Sequence, residues 1–235
     1  MYSKKFVIQT SEADHNLNLR LPALFLFMQD VATAHAEELN IGKANTIDKG
    51  LYWVITRYSI SFNKLPKYLD EINVTTYPGD NMKFIFPRNF LIQNTKGEDL
   101  IKASSTWMVL HKDTHKVSLN PFGDKLLPSE HLPEEEPAPK KINPQEVQLI
   151  DSRRVRSSDV DINNHLNNTR YIEYIVDCHK QDYFDKKEIK HLSIEYKKEI
   201  MIDQQVDIYS SLNNPEYILG KVNDEICFEV EIIYK

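Results

Sequence analysis

Asp161, Asn163 and His165 occupy alternate positions in the stretch Asp159–Asp177, DVDINNHLNNTRYIEYIVD. In extended backbone, residues i, i+2 and i+4 share a face. A carboxylate, an amide and an imidazole then point into one space. An imidazole ordinarily titrates near neutrality, so His165 can take a proton from water. Asn163 is a neutral donor and acceptor, suited to holding a carbonyl oxygen or a water. Asp161 can orient that water, act as a base with His165, or attack a carbonyl itself; residue type does not choose among these. Downstream, Tyr171, Tyr174, Ile175 and Cys178 fall at i, i+3, i+4 and i+7, which is helical spacing. The polar cluster therefore leads into a helix N-terminus, where free N–H groups and the dipole favour negative charge. The N–H groups of Asn167–Arg170 are candidates for an oxyanion hole, in which one donor is typically worth about 2.7–4 kcal/mol of barrier. The competing assignment is local: Asp and Asn before a helix commonly serve as caps. Asn167 and Asn168 are read as cap and turn.

The elements that must position this cluster occur twice. Residues 4–9 form a first strand. Leu21–Asn40 reads as a helix with the stripe Leu24, Met28, Val31, His35 and Leu39, His35 being satisfied within the packing. Strands follow at Leu51–Phe62, Glu71–Tyr77, Lys83–Asn94 and Asp99–His111, rich in β-branched and aromatic residues. Asn94-Thr95-Lys96-Gly97 is a hairpin signal between the last two. Residues 128–146 are rich in Pro and Glu and are expected to be an exposed linker with solvated charges. The order then repeats: a strand at Val147–Arg156, a helix at Asn167–Lys180, and strands at His191–Ile200, Gln205–Leu212, Glu216–Val222 and Glu225–Tyr234. Asn213-Asn214-Pro215 and Val222-Asn223-Asp224 mark turns. The expected fold class is α+β, with a domain at 1–127, the linker at 128–146 and a second domain at 147–235, each a long helix on an antiparallel sheet. Asp14, Asn16 and Asn18 stand 147 residues before Asp161, Asn163 and His165, so the first half keeps D-x-N and lacks the histidine.

Composition narrows the class. A chain of 235 residues with a formal net charge of −6 does not suit nucleic acid as its main partner. No apolar run approaches the roughly 20 residues of a membrane-spanning helix, and no signal or transit peptide is evident, so a cytoplasmic protein is expected. The two cysteines, Cys178 and Cys227, match no disulfide or metal spacing and are expected to be buried thiols. No metal or other cofactor is expected.

DINNHLNN at Asp161–Asn168 resembles the D-x-N-x-H-x-N-N element of the plant and bacterial acyl-acyl carrier protein thioesterases. IEYKKEI at Ile194–Ile200 is similar to that family's LEYRREC. MQDVATAHAEELNIG at Met28–Gly42 and LYWVITRYSISFNKLPKYLDEI at Leu51–Ile72 resemble its first half. The resemblance implies two tandem hot-dog domains and hydrolysis of fatty acyl thioesters on acyl carrier protein. It implies that the second domain is catalytic, through Asp161, Asn163, His165 and Glu199, and that the first supplies most of the acyl-chain pocket. Leu24, Phe27, Met28, Trp53 and Phe90 are its candidate lining. Glu195 shares a strand face with Glu199 under strict alternation, unless a bulge near Lys197-Lys198 separates them. Acyl carrier protein is acidic, so Arg153, Arg154, Arg156, Lys197 and Lys198, with Lys186 and Lys187, are candidate docking residues. The family's cysteine is Ile200 here, which favours water attack assisted by carboxylate and histidine. An acyl-CoA thioesterase and a non-catalytic fatty-acyl binder are the alternatives; either a monomer or a homodimer fits.

Overall fold

The computed structural model describes residues 1–123, 127–179, 187–213 and 215–235. The expected helix end at Lys180, the docking candidate Lys186 and the turn residue Asn214 lie outside the described residues. The chain divides into two compact units, Met1–Leu19 with Leu26–Pro139, and Arg20–Phe25 with Lys140–Lys235.

The first unit contains strands β1 (Tyr2–Val7), β2 (Leu51–Phe62), β3 (Glu71–Pro78), β4 (Phe86–Asn94) and β5 (Asp99–His111). They pair antiparallel in the order β1-β3-β4-β5-β2. Helix α1 (Leu21–Glu38) buries Phe27, Met28, Val31, Ala32 and His35, the side of the helix that the 3.6-residue period makes apolar. Phe27 stacks on Phe6 with ring centroids 4.4 Å apart. His35 accepts at Nδ1 from Arg88 Nη1 (3.1 Å), and burial followed by the guanidinium charge lowers its pKa to about 4. A neutral imidazole is therefore what the helix packs inward.

The second unit contains β6 (Gln148–Arg154), α2 (Asn168–Asp177), β7 (Ile189–Tyr196), β8 (Gln205–Ser210), β9 (Glu216–Val222) and β10 (Glu225–Tyr234). Its strands pair antiparallel in the order β7-β10-β9-β8-β6. Strand β8 alternates cleanly, with Val206, Ile208 and Ser210 buried between more exposed neighbours. Helix α2 buries Tyr171, Ile172, Tyr174 and Ile175. Tyr171 meets Tyr196 and Phe228 edge-on, at 5.1 and 5.2 Å between centroids, which seats the helix on β7 and β10. The hot-dog arrangement, one helix against an antiparallel sheet, is thus present in each half.

Three expectations need correction. Strand β7 ends at Tyr196, short of Ile200, because the N–H groups of Lys197 and Lys198 both donate to Cys227 O (2.8 and 3.1 Å). Two residues facing one partner carbonyl form a bulge. Asn63 and Lys64 do the same to Leu100 O (2.9 and 3.2 Å), so the distortion repeats in both units. The Pro/Glu segment carries no regular structure, yet it is not uniformly solvated. Ser59 Oγ donates to Glu136 (2.8 Å), whose side chain is buried, and Ile142 packs on Tyr217 and Leu219. Cys227 is buried as expected, whereas Cys178, the C-cap of α2, is partly exposed.

Candidate active site

Asp161, Asn163 and His165 lie on a tight turn instead of an extended strand. Asn164 N donates to Asp161 O (3.0 Å) and Asp161 N to His165 O (2.8 Å), with Asn164 left-handed at φ 66°. This is the three-residue hairpin loop built on a type I turn and a left-handed residue. Asp161 Oδ1 accepts from Asn163 N (2.8 Å) and His165 N (3.3 Å). A short acidic side chain thus competes for its own backbone and closes the loop. The flanks pair through Val160 and Leu166, and Leu166 N donates to Ile200 O (2.7 Å).

That last bond brings the two motifs together. His165 bridges to Met201, and its Nε2 lies 3.4 Å from Glu199 Oε2. The imidazole is 14% and the carboxylate 30% exposed, so the pair is shielded while remaining reachable. Glu195 takes a different place. It lies opposite Glu229 across β7 and β10, and Glu229 pairs with Lys197 and accepts from Tyr217. The bulge at Lys197-Lys198 is what parts Glu199 from Glu195.

Helix α2 adds donors selectively. Asn167 is its cap, accepting from Thr169 N (3.0 Å) and Thr169 Oγ1 (2.9 Å). Asn167 N is spent on Asp159 O (2.9 Å) and Arg170 N on Asn167 O (2.8 Å). The expected oxyanion hole therefore contracts to Asn168 N–H, which meets no acceptor among the described residues. The Asn163 side-chain amide likewise makes no hydrogen bond among them.

Two supporting residues were not legible in the sequence. Asp159 Oδ2 accepts from Arg156 N and Tyr174 Oη, both at 2.9 Å, clamping the loop to α2. The Tyr171 hydroxyl meets the Ile200 backbone. Burial, then the charges of Cys227 and Glu199, hold it well above the ordinary phenol range, so it stays protonated. An aspartate shortly before a helix with tyrosines on its inner face is the only trace of this in the sequence.

The other candidates are placed as follows. Leu24, Phe27, Met28 and Phe90 are buried, and Trp53 is half-buried between Phe86 and Phe122 with its N–H on Ile41 O (2.9 Å). Most of the docking cations are engaged within the chain. Arg153 pairs with Asp151 (2.7 Å) and Asp177 (2.9 Å), Arg154 with Asp203 (2.8 Å), Lys197 with Glu229 and Lys198 with Glu225. Lys187 lies over the Tyr234 ring. The Arg156 side chain is exposed and meets no acidic partner among the described residues.

Residues 1–120 match the acyl-ACP thioesterase N-terminal domain, and residues 142–234 match the C-terminal domain of the same family. The chain belongs to the acyl-ACP thioesterase family. It is 24% identical over 241 residues to oleoyl-acyl carrier protein thioesterase 2 of Arabidopsis thaliana, covering 94% of this chain and 65% of the relative. It is 23% identical to the dodecanoyl-[acyl-carrier-protein] hydrolase of Cinnamomum camphora, covering 96% of this chain and 63% of that protein. The chain thus spans somewhat under two thirds of these chloroplastic relatives. An acyl-ACP thioesterase from Bacteroides thetaiotaomicron superposes with a TM-score of 0.85 at 23% identity, over 99% of this chain and 97% of the other. The 12:0-ACP thioesterase of Umbellularia californica does so at 0.83 and 18%, over 100% and 96%. As in the fold of this acyl-ACP thioesterase family, each half is a hot-dog unit. No helix among the described residues is long and apolar enough to cross a membrane.

Proposed function

We propose that this chain hydrolyses fatty acyl thioesters of acyl carrier protein to free fatty acid and the carrier thiol. The observation that carries the reading is the His165–Glu199 pair at 3.4 Å, held on the loop that also carries Asn163. In the reaction, the His165 imidazole takes a proton from water as general base, with Glu199 beside its Nε2. The water oxygen bonds to the carbonyl carbon, and the resulting oxyanion is held by the Asn163 amide and Asn168 N–H. Collapse breaks the C–S bond, and the imidazolium returns its proton to the departing thiolate. Glu199 stabilises the imidazolium between these steps.

The cysteines support water attack over thiol attack. The position of the family's cysteine is the fully buried Ile200. Burial pushes the Cys227 thiol up, away from the nucleophilic thiolate. Cys178 caps the far end of α2, roughly 15 Å from the helix start at 1.5 Å per residue.

Carrier-protein docking draws on Arg156 first, because the other cations are already paired. Phe27, Met28 and Phe90, which are buried, stay candidates for lining an acyl-chain pocket, with Leu24 and Trp53 as further candidates. The test is a panel of acyl-carrier-protein and acyl-CoA thioesters of varied chain length, with hydrolysis measured directly. Turnover of carrier-protein substrates supports the proposal, and a clear preference for CoA would move the assignment to an acyl-CoA thioesterase. Acyl binding without turnover of any substrate would make the chain a binder.

A further inference from the structure

We propose that Arg88, on the helix-facing side of the first unit's sheet, is the core of a binding site for a monocarboxylate. The inference stands apart from the hydrolytic reading, because none of its residues belongs to the His165–Glu199 pair.

Arg88 is buried at 8% exposure, yet no acidic side chain pairs with it among the described residues. Burial lowers its pKa only to about 10, so the guanidinium stays charged at neutral pH. A buried charge without a counter-charge is costly. The neighbours that hold it are all neutral. Nη1 donates to His35 Nδ1 and to Thr76 Oγ1, both at 3.1 Å. Thr76 gives its own hydroxyl proton to Asn89 O (3.0 Å), which leaves a lone pair for Arg88. Tyr58 lies in the same cross-strand row, since Ser105 stands opposite both Arg88 and Tyr58. Burial keeps the Tyr58 hydroxyl protonated, so it brings no negative charge. Glu130, whose charge reaches His35, pairs with the Met1 amine.

What remains open on Arg88 selects the ligand. With Nη1 spent on His35 and Thr76, the Nε–H and the Nη2 protons meet no acceptor among the described residues. They form one edge of a planar fork, and two parallel N–H groups match the two oxygens of a carboxylate. A halide engages only one point of that edge. One negative charge also balances one guanidinium, whereas a phosphate dianion leaves a surplus charge buried. The surroundings are apolar. Phe90 follows Arg88 on the same face of β4 and meets Tyr58 at 6.1 Å between ring centroids. Val31 and Met28, both buried, lie one and two turns before His35 on α1. On β5 only the small side chains of Ser105 and Ala103 stand opposite Arg88 and Phe90. A bare carboxylate and the head of a fatty acid share this recognition, and the apolar wall distinguishes them by the tail.

The experiment titrates sodium formate, sodium octanoate and sodium chloride into the full chain, Arg88→Met and Arg88→Lys, read by calorimetry and by urea melts. Saturable formate binding is expected in the parent. Its folding constant should rise by one plus the ratio of ligand concentration to Kd, roughly tenfold at ten times Kd. Arg88→Met removes the charge at similar length and is expected to lose that rise. Arg88→Lys keeps the charge without the fork and should weaken binding about tenfold; it decides the matter if circular dichroism shows Arg88→Met unfolded. Octanoate binding tighter than formate, with the same dependence on Arg88, assigns the site to a fatty acid; equal affinity assigns it to small carboxylates. No saturable formate or octanoate binding by the parent would overturn the inference, as would binding that Arg88→Met or a folded Arg88→Lys leaves unchanged. Chloride acting as strongly as formate would overturn the carboxylate assignment. No arm reads hydrolysis, so a chain without turnover refutes the proposed function and leaves this inference standing.

Discussion

Replacing Glu199 by Gln removes the charge beside His165 while keeping the shape of the side chain. The magnitude follows from the geometry. Two unit charges 3.4 Å apart interact by about 5 kcal/mol at an effective dielectric near 20. Glu199 is 30% exposed, so water screens part of this, and about 2 kcal/mol is a fair expectation for the imidazolium formed during the reaction. Glu199→Gln should then lower kcat roughly 30-fold, because each 1.36 kcal/mol is a factor of ten. The effect belongs mainly on kcat, since the charge pair exists only after His165 has taken the proton. Single-turnover hydrolysis of an acyl-carrier-protein substrate measures it, and circular dichroism checks the fold. Parent-like kcat in Glu199→Gln would refute the charge-pair argument. The companion Glu195→Gln should leave kcat nearly unchanged, because Glu195 faces Glu229 across the sheet.

Other consequences are equally direct. His179 Nε2 meets the fully buried Glu216 at 2.8 Å; burial opposes charging, but the bonds to Cys178 and Glu216 win and raise its pKa to about 10. A folded-state pKa above the unfolded 6.5 adds stability that is fully present below pH 6.5 and is lost as pH rises toward 10; urea melts across that window should show the loss, and His179→Gln should flatten it. Glu216→Gln breaks a buried pair whose carboxylate also accepts from Ser210 and Tyr234, and should cost about 3–5 kcal/mol in chemical denaturation. A side chain at Gly220 would meet the buried Phe228 ring at 1.9 Å, so Gly220→Ala should destabilise by about 1–3 kcal/mol in the same assay. Cys178→Ser and Cys227→Ala should retain most of the hydrolytic rate, and loss of turnover in either would return a thiol to the mechanism.

Local rules carried the reading of the chain a long way. Strands β2, β5, β9 and β10 begin and end where β-branched runs and turn residues place them, because both signals act within a few residues. The hairpin at Asn94-Gly97 was legible for the same reason. Within the linker, Glu136 and Ile142 depart from the exposed expectation because they acquire their partners, Ser59 and Tyr217, from distant strands. That Arg153, Arg154, Lys197 and Lys198 are paired within the chain was not legible, since charge composition cannot show which cations meet acidic neighbours brought in by folding.

What the sequence by itself determined is the pair of α+β halves and the gathering of Asp161, Asn163 and His165 on one short stretch. Helical and strand periods and the backbone-seeking chemistry of Asp and Asn are local properties, so they survive without any knowledge of packing. What only the tertiary structure decided is that Glu199, and not Glu195, meets His165. That choice is made at Lys197-Lys198, where two N–H groups share the carbonyl of Cys227. A bulge needs a partner strand to be measured against, and the partner, β10, is reached only when the sheet has formed.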